Sequence, residues 1–305
     1  MEKKAIRVAY GEAIVKLGAE NDKVVVFDAD LAAATMTNGF KKAYPDRFID
    51  CGIAEANMVD LAAGMSTTGL VPFCSTFAVF ASRCLDQIRN TVCYPKMNVK
   101  FAFTHAGITL GEDGGSHQAL EDIAIMRALP NMTVFVPCDA NETERCIDAA
   151  MEINGPVYIR LARLPSPIFE MDMPFIPGKV NVLREGKDEV LLCSGVMVSE
   201  CMAAAELLAA QGKDVCVVNC HTIKPFDVEG VQELAKTHSH IYTVEEHNVI
   251  GGLGDATAAA LVNMDGVKLT KLGMQDVFGE SGKPADLLRK YKLDAQGIAD
   301  TVLGK

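Results

Sequence analysis

The chain has 305 residues, of which 49% are hydrophobic and 23% are charged, and its formal net charge is −11 at pH 7. This length favours two domains, and this composition excludes an intrinsically disordered chain. The negative charge disfavours binding to the phosphate backbone of nucleic acids. No uninterrupted apolar run reaches the roughly 18 residues that a membrane span needs.

The N-terminal segment and the cysteines are typical of a cytosolic protein. Residues 1–17 predict an amphipathic helix and lack the apolar core and small-residue cleavage site of a secretory signal. None of the ten cysteines stands in a CxxC spacing, and most lie inside apolar runs. We therefore expect buried, reduced thiols, no zinc site and a cytoplasmic location.

Apolar, β-rich runs alternate with helical patterns through the first half of the chain. The predicted elements are strands at 23–30, 70–77, 99–107, 132–139 and 156–163, and helices at 54–69, 78–92 and 140–154. Strands that alternate with helices of this length predict βαβ units. They therefore predict a parallel sheet that is covered by helices on both faces.

A proline-rich segment, residues 164–178, divides the chain in two. It holds four of the twelve prolines and shows little periodicity, which is typical of a linker. The alternation then resumes with strands at 188–195, 214–222, 240–247 and 267–274, helices at 198–212 and 228–237, a glycine-rich segment at 251–263 and a C-terminal helical region. We predict two doubly wound α/β domains, residues 1–165 and 181–305, joined by a linker at 166–180.

Two segments that follow predicted strands carry candidate site residues, because open α/β sheets bind ligands at their strand ends. Glu55 begins a largely apolar helix, where an acid either takes part in chemistry or simply favours the helix dipole. Phe77, Phe80 and Arg83 recur every three residues and share one helical face. Such a stripe is usually core, although Arg83 suits a core poorly.

The most informative segment is the glycine-rich loop, residues 104–122, with the sequence THAGITLGEDGGSHQALED. Its four glycines let the backbone adopt positive φ angles and approach a ligand closely. Its candidate site residues are His105, Asp113 and His117, and loops supply catalytic residues often. Metal binding by the two histidines and a solvated turn are the alternatives, and the histidines lack a usual ligand spacing.

Together these segments resemble the transketolase family. The resemblance rests on GIAEANM, CSTFAVF, THAGITLGEDGGSHQ, LPNMTVFVPCDANET and TVEEHNVIGGLG, and it extends over essentially the whole chain. The chain is similar to the pyrimidine-binding and C-terminal domains of that family, and in particular to the C-terminal subunit of a split, two-chain transketolase. The resemblance implies a thiamine-diphosphate-dependent transferase of carbohydrate metabolism, in the pentose phosphate pathway, that moves a two-carbon ketol unit from a ketose phosphate to an aldose phosphate.

The resemblance also implies that a second chain completes the site. Family members hold the diphosphate and a Mg²⁺ or Ca²⁺ ion with a GDG motif followed by an Asn, and this sequence contains no GDG. We therefore expect an N-terminal transketolase subunit as partner, a heterotetramer of α₂β₂ composition, and metal binding mainly by the partner.

The family assigns roles to residues on the cofactor side. Glu55 would hydrogen-bond the aminopyrimidine ring and favour the form that removes the thiazolium C2 proton. Phe80 would stack on the pyrimidine, Phe77 would line its pocket, and Asp30 would lie near the thiazolium and the domain interface. Arg83 stands where many full-length transketolases have Tyr.

On the substrate side, the family implies that His105 and Arg163 bind the terminal phosphate of the sugar, and we expect these two cations to lie together. Asp113 would hydrogen-bond a substrate hydroxyl, and His117 would contact substrate oxygens during proton transfers. The family's DLxxS phosphate-binding pattern is DLAAA here, with Ala34 at the Ser position. A phosphate tail is favoured, and a sulfonated or unusual sugar stays open.

Other functions stay open at this stage. A 2-oxo-acid dehydrogenase β-subunit has a similar length and the same two domains but usually a different His-containing loop. A 1-deoxyxylulose-5-phosphate synthase shares AGI…DG…HQ and an Arg at position 83, but normally has three domains in one chain. A non-catalytic regulatory subunit would have no need for Glu55, the two aromatics and the two loop histidines.

Overall fold

The computed structural model describes residues 2–169 and 174–305. The strands of the first region are β1 (Lys3–Ala5), β2 (Val24–Asp28), β3 (Phe48–Asp50), β4 (Val71–Ser75), β5 (Lys100–Phe103), β6 (Thr133–Phe135), β7 (Val157–Arg160) and β8 (Pro165–Pro167). Its α-helices are α1 (Ile6–Glu20), α2 (Ala32–Thr35), α3 (Asn38–Ala43), α4 (Glu55–Ser66), α5 (Leu85–Gln87), α6 (Asp122–Ala128) and α7 (Ala140–Glu152). Short 3₁₀-helices cover Pro45–Arg47, Ala78–Cys84 and Ile108–Leu110, and a π-helical segment covers Ile88–Cys93.

The second region repeats the alternation of strands and helices. Its strands are β9 (Asn181–Arg184), β10 (Val190–Cys193), β11 (Cys216–Asn219), β12 (Thr222–Lys224), β13 (His240–Asn248) and β14 (Lys268–Met274). Its helices are α8 (Met197–Ala209), α9 (Val228–Thr237), α10 (Leu253–Leu261), α11 (Pro284–Lys290) and α12 (Ala295–Val302). Within the described ranges, no helix is both long enough and apolar enough to cross a membrane.

The larger sheet has the strand order β12-β6-β7-β5-β4-β2-β3. Its pairs from β6 to β3 are parallel, so the carboxyl ends of these strands lie at one edge. Strands β2, β4, β5 and β7 are buried along their whole length, as expected for a sheet covered on both faces. The predicted α/β architecture is confirmed.

The smaller sheet has the order β14-β13-β10-β11-β9. All its pairs are parallel except that of β9 with β11. Helices pack on this sheet too, with α8 contacting β10, β11 and β13. The chain thus has two α/β domains, as predicted.

One predicted strand is two strands in the structure. The segment 214–222 forms β11 in the smaller sheet and then, after Asn219, leaves it. Strand β12 pairs antiparallel with β6, so the second domain adds an edge strand to the sheet of the first. The backbone N–H of Val136 donates to the carbonyl of His221 at 2.8 Å, which extends this pairing. A continuous apolar run cannot show that its halves belong to different sheets.

Three other segments differ from the sequence prediction. The predicted helix 78–92 is a 3₁₀-helix, one α-helical turn and a π-helical segment in succession. The predicted N-terminal helix begins only at Ile6, because Lys3–Ala5 pairs antiparallel with Pro165–Pro167. That second strand lies at the start of the proline-rich segment, and proline is compatible with such short edge strands.

A buried carboxylate lies between the domains. Glu142 is 8% exposed, and its carboxylate accepts hydrogen bonds from the backbone N–H of Cys138 at 2.7 Å and from the amide of Asn219 at 2.8 Å. Burial raises the pKa of Glu142 to about 7 from its ordinary 4.5, although these hydrogen bonds oppose the shift. Between those two pH values the folded chain retains a proton that the unfolded chain has released.

This carboxylate should make folding stability fall as pH rises. The contribution of the protonated Glu142 is fully present below about pH 4.5 and is lost as pH approaches about 7. Denaturant unfolding should therefore show that wild type loses roughly 1–3 kcal/mol relative to Glu142→Gln between pH 5 and 7.5. Parallel pH profiles for the two proteins would contradict the assignment.

Candidate active site

The first component of the site is a buried carboxylate at a helix start. Helix α4 begins at Glu55, in agreement with the predicted helix. The Glu55 side chain is almost completely buried. The guanidinium Nε of Arg83 lies 3.3 Å from the Glu55 carboxylate, while the Arg83 side chain is 54% exposed. Arg83 therefore pairs with Glu55 and also reaches the surface.

Two aromatic rings lie beside this pair. Phe77 is buried and Phe80 half-buried, and their rings are parallel, with centroids 5.9 Å apart. The Arg83 guanidinium lies 5.7 Å from the Phe80 ring centroid. The three-residue spacing aligns these side chains because a 3₁₀-helix has three residues per turn. The stripe is thus neither pure core nor surface, since it runs from the buried Phe77 outward to Arg83.

The glycine-rich loop brings both of its histidines to these rings. The His105 ring stacks on Phe77 at 3.9 Å between centroids, and the His117 ring meets Phe80 edge-on at 5.9 Å. Backbone pairing explains the first contact, because the N–H of Ala78 donates to the carbonyl of Thr104 at 2.7 Å. Adjacent parallel strands β4 and β5 thus deliver the aromatic stripe and the loop to the same edge.

His105 is held in an unusual state. Its backbone is left-handed, with φ of 62°, and its Nδ1 lies 2.8 Å from the hydroxyl of Thr104. Burial, together with the charges of Arg7 and Arg163, lowers the pKa of His105 to about 3. The expectation of two cations was wrong for this residue, because a buried imidazole next to two guanidinium groups stays neutral at neutral pH.

Arg163 and Arg7 supply the positive charge instead. Arg163 follows β7, which lies beside β5, and donates to the carbonyl of Leu110 at 2.7 Å. Arg7, in the first turn of α1, donates to the carbonyl of Ala34 at 2.7 Å, and its buried Nε has no hydrogen-bond partner within the described chain. Burial and the charge of Arg163 lower the pKa of Arg7, so the two cations act on each other.

Sequence reasoning missed Arg7. The residue stands alone in an N-terminal segment with an ordinary helical pattern, and its neighbours at the site lie far along the chain. The Ala34 carbonyl that it binds belongs to the segment DLAAA, where the family pattern departs from its usual Ser. That departure was the only sequence feature that drew attention to this region.

The remaining predicted residues lie further out. Asp113 is exposed, and the neighbouring Glu112 lies 3.8 Å from Arg163. Asp30 is exposed at the end of β2, with φ of 62°, and its N–H donates to the carboxylate of Asp50 at 3.2 Å. Unlike Glu55 and the histidines, these two acids are not drawn into the aromatic cluster.

The arrangement suits a flat, nitrogen-containing aromatic ring. A half-buried phenyl face at Phe80 can stack on such a ring, and the buried carboxylate of Glu55 can hydrogen-bond a ring nitrogen. These two residues fit the aminopyrimidine of thiamine diphosphate. Across residues 2–169 and 174–305, no group of three or more His, Cys, Asp and Glu side chains is arranged to hold a metal ion.

Comparison with known proteins defines the class. Residues 2–167 match the model of the transketolase pyrimidine-binding domain, and residues 178–298 match that of the transketolase C-terminal domain. The chain therefore belongs to the transketolase family, a family of transferases.

Two relatives and one solved structure are similar to this chain over nearly their whole length. The chain is 45% identical over 305 residues to a protein of Methanocaldococcus jannaschii described as a transketolase C-terminal section, covering 98% of this chain and 96% of that one. It is 40% identical over 300 residues to a 6-deoxy-6-sulfo-D-fructose transketolase subunit of a Clostridium species, covering 98% and 93%. A solved structure described as a split-gene transketolase, an inactive β4 tetramer, superposes with a TM-score of 0.90 at 48% identity, covering 99% and 98%.

The neutral state of His105 is directly measurable. Because its pKa lies near 3 in the folded chain, its imidazole signals should not shift between pH 8 and pH 5, whereas an unperturbed histidine titrates near 6.5. Heteronuclear NMR of histidine-labelled protein, with His105→Gln to assign the signal, provides the measurement. A titration midpoint near 6.5 would show that burial and the two guanidinium groups do not lower the pKa of His105, and a midpoint above 7 would show that His105 is a cation at neutral pH.

Proposed function

We propose that this chain is the C-terminal subunit of a two-chain, thiamine-diphosphate-dependent transketolase. The reaction is the reversible transfer of a two-carbon ketol unit from a ketose phosphate to an aldose phosphate. The observation that carries the proposal is the convergence of a buried carboxylate, two parallel phenyl rings and two loop histidines at one edge of a parallel sheet.

On the cofactor side, each residue has a task that its position supports. When bound, thiamine diphosphate supplies the electron sink for carbon–carbon cleavage. Glu55 would hold a proton on the aminopyrimidine, Phe80 would stack on that ring and Phe77 would line its pocket. Arg83 orients the Glu55 carboxylate through their 3.3 Å contact. Asp30, at the exposed end of β2, would lie near the thiazolium and the partner chain.

On the substrate side, the charged arginines and the neutral His105 have different roles. Arg163 and Arg7 bind the anionic tail of the sugar, and His105 contributes a neutral hydrogen bond next to them. His117, at the edge of the Phe80 ring, contacts oxygens at the reacting end and takes part in proton transfers. Asp113 hydrogen-bonds a substrate hydroxyl from the exposed turn of the loop.

The proposal includes a separate N-terminal subunit that carries the GDG motif and binds the diphosphate with Mg²⁺ or Ca²⁺. The similarity to a transketolase C-terminal section and to a split-gene transketolase supports this division of the site. The description of the latter as an inactive β4 tetramer supports self-association of such chains and their dependence on a partner. We propose an α₂β₂ assembly, located in the cytoplasm and acting in the pentose phosphate pathway.

A second substrate class has an observation in its favour. Ala34 stands where the family has a phosphate-binding Ser, and its carbonyl is bound by Arg7 at the cationic end of the site. A relative at 40% identity is a transketolase subunit for 6-deoxy-6-sulfo-D-fructose. A sulfonated sugar therefore competes with a phosphorylated one as the natural substrate.

Glu55→Gln tests the cofactor-side assignment. The change keeps the size of the side chain but removes the charge that holds the aminopyrimidine proton, and loss of a positioned proton-transfer function typically lowers a rate about 10²–10⁴-fold. Hydrogen–deuterium exchange at C2 of thiamine diphosphate should slow by this order in the assembled enzyme. Asp60→Asn, which removes an exposed acid from the same helix, is the matched control and should exchange at the wild-type rate. Equal exchange in all three proteins would remove Glu55 from the mechanism.

Arg163→Ala tests the substrate-side assignment. Hydrogen bonds to charged groups contribute roughly 1.5–3 kcal/mol, so kcat/KM for a phosphorylated acceptor should fall about 10–150-fold, mainly through KM. The kcat/KM for an unphosphorylated acceptor should fall much less. Arg163→Lys keeps the charge but not the planar fork of the guanidinium. Its kcat/KM for the phosphorylated acceptor should lie between those of wild type and Arg163→Ala.

Ala34→Ser adds a second arm to this comparison. A hydroxyl at this position should improve kcat/KM for a phosphorylated sugar relative to a sulfonated one.

Equal losses of kcat/KM in Arg163→Ala for the phosphorylated and unphosphorylated acceptors would show that Arg163 does not bind the tail.

A further inference from the structure

Both ends of the glycine-rich loop are attached to the second domain. Near its start, the loop contacts the carboxylate of Glu246 on β13. Near its end, the carbonyl of Leu120 accepts from the backbone N–H of Asn248 at 2.7 Å. Between them, the amide of Gln118 donates to the carbonyl of Glu280 at 3.0 Å. His117 thus lies between attachments to the other domain, and His105 lies four residues before the first of them, at Thr109.

Glu246 makes the most specific of these contacts. One carboxylate oxygen accepts from the hydroxyl of Thr109 at 2.7 Å and from its backbone N–H at 3.1 Å. Gly107 leaves room for the carboxylate, because a Cβ at that position would lie only 2.2 Å from it. Gly107 has φ of 83°, so both its conformation and its lack of a side chain fit the approach of Glu246.

Arg160 connects Glu246 to the far end of the loop. Its Nη1 lies 3.6 Å from the other carboxylate oxygen of Glu246, and its Nη2 donates to the Glu246 carbonyl at 3.1 Å. The same guanidinium binds both carboxylate oxygens of Asp122, where the loop enters α6, at 2.8 and 3.2 Å. One buried ion cluster therefore holds the two ends of the loop at a fixed separation.

The neighbouring acid shows that this arrangement is specific to Glu246. Glu245 is equally buried, but its carboxylate accepts from the N–H groups of Leu253 and Gly254 at the start of α10, inside the second domain. Successive side chains of a strand point in opposite directions. Glu245 thus serves its own domain, while Glu246 faces the loop of the other.

We propose that Glu246 is a positioning residue for the reaction: through Thr109 and Arg160 it fixes the backbone of the glycine-rich loop, and so places His105 and His117 against the substrate. The effect of Glu246 on catalysis rests on the proposed function. The contacts by which it fixes the loop lie within this chain alone. Among the residues that the structure describes, the carboxylate, the aromatic rings and the cations of the proposed site all belong to the first domain, so this contact gives the second domain a role at the active site.

Hydrogen–deuterium exchange on the full chain tests the structural content without any enzyme assay. Glu246→Gln and Thr109→Val should each raise amide exchange in residues 107–121 by roughly tenfold or more, since each weakens a charge-assisted hydrogen bond. Thr109→Ser keeps the hydroxyl group and should show exchange at the wild-type rate. The matched control, Glu245→Gln, should raise exchange around residues 251–257 and leave 107–121 unchanged. Equal loosening of residues 107–121 by both glutamate variants would reduce Glu246 to a general stabilising role and overturn the inference.

The near-isosteric Thr109→Val decides the question if Glu246→Gln does not fold. Its failure to loosen residues 107–121 would likewise overturn the inference.

Kinetics of the enzyme assembled with its partner chain test the catalytic meaning. Glu246→Gln and Thr109→Val should lower kcat/KM for the sugar at least tenfold while changing the half-saturating thiamine diphosphate concentration less than twofold, because Glu55 and Phe80 lie outside the loop. Glu245→Gln should keep both parameters. If the exchange pattern holds but the wild-type pair shows no ketol transfer, the proposed function fails and the positioning contact stands. If ketol transfer is present and the variants match wild type in rate, Glu246 is not a positioning residue for the reaction.

Discussion

The buried ion cluster of Asp122, Arg160 and Glu246 is the interaction that makes one site out of two domains. Burial works against each charge, but Arg160 lowers the pKa of Asp122 below its ordinary value, and the carboxylates raise that of Arg160. Breaking a buried ion pair by removing one partner typically costs about 3–5 kcal/mol, because the other charge is left uncompensated. Gly107 lets the Glu246 carboxylate approach the glycine-rich loop closely, whereas Gly111, Gly114 and Gly115 lie against residues 279–284.

A second constraint is the parallel sheet itself. Adjacent strands β4, β5 and β7 end at one edge, so the aromatic stripe, the glycine-rich loop and Arg163 emerge side by side. At this edge, burial and the nearby guanidinium groups of Arg7 and Arg163 keep His105 neutral. A neutral imidazole can both donate and accept a hydrogen bond, whereas an imidazolium can only donate. The positive charge at this edge therefore lies on the arginines, and His105 offers a neutral hydrogen-bonding group beside them.

Much of this could be predicted from sequence because it depends on local patterns. Alternating apolar runs predicted the α/β fold, and Glu55 was correctly placed at a helix start. The segment 78–92 was wrong as a regular helix, since a three-residue spacing fits a 3₁₀-helix as well as an α-helix. Contacts between distant residues left no local pattern: Thr109 and Glu246 are 137 positions apart. Arg7 was missed for the same reason, and strand β12 was hidden in an apolar run shared by two sheets.

The central claim is that this chain carries the aminopyrimidine half of a thiamine diphosphate site and a second chain carries the other half. The direct measurement is ketol transfer from a ketose phosphate to an aldose phosphate, with thiamine diphosphate and Mg²⁺, by this chain alone, by the chain that contains the GDG motif alone, and by their mixture. The account predicts turnover only in the mixture, and loss of that turnover with Glu55→Gln. Turnover by this chain alone at the rate of the mixture would contradict it.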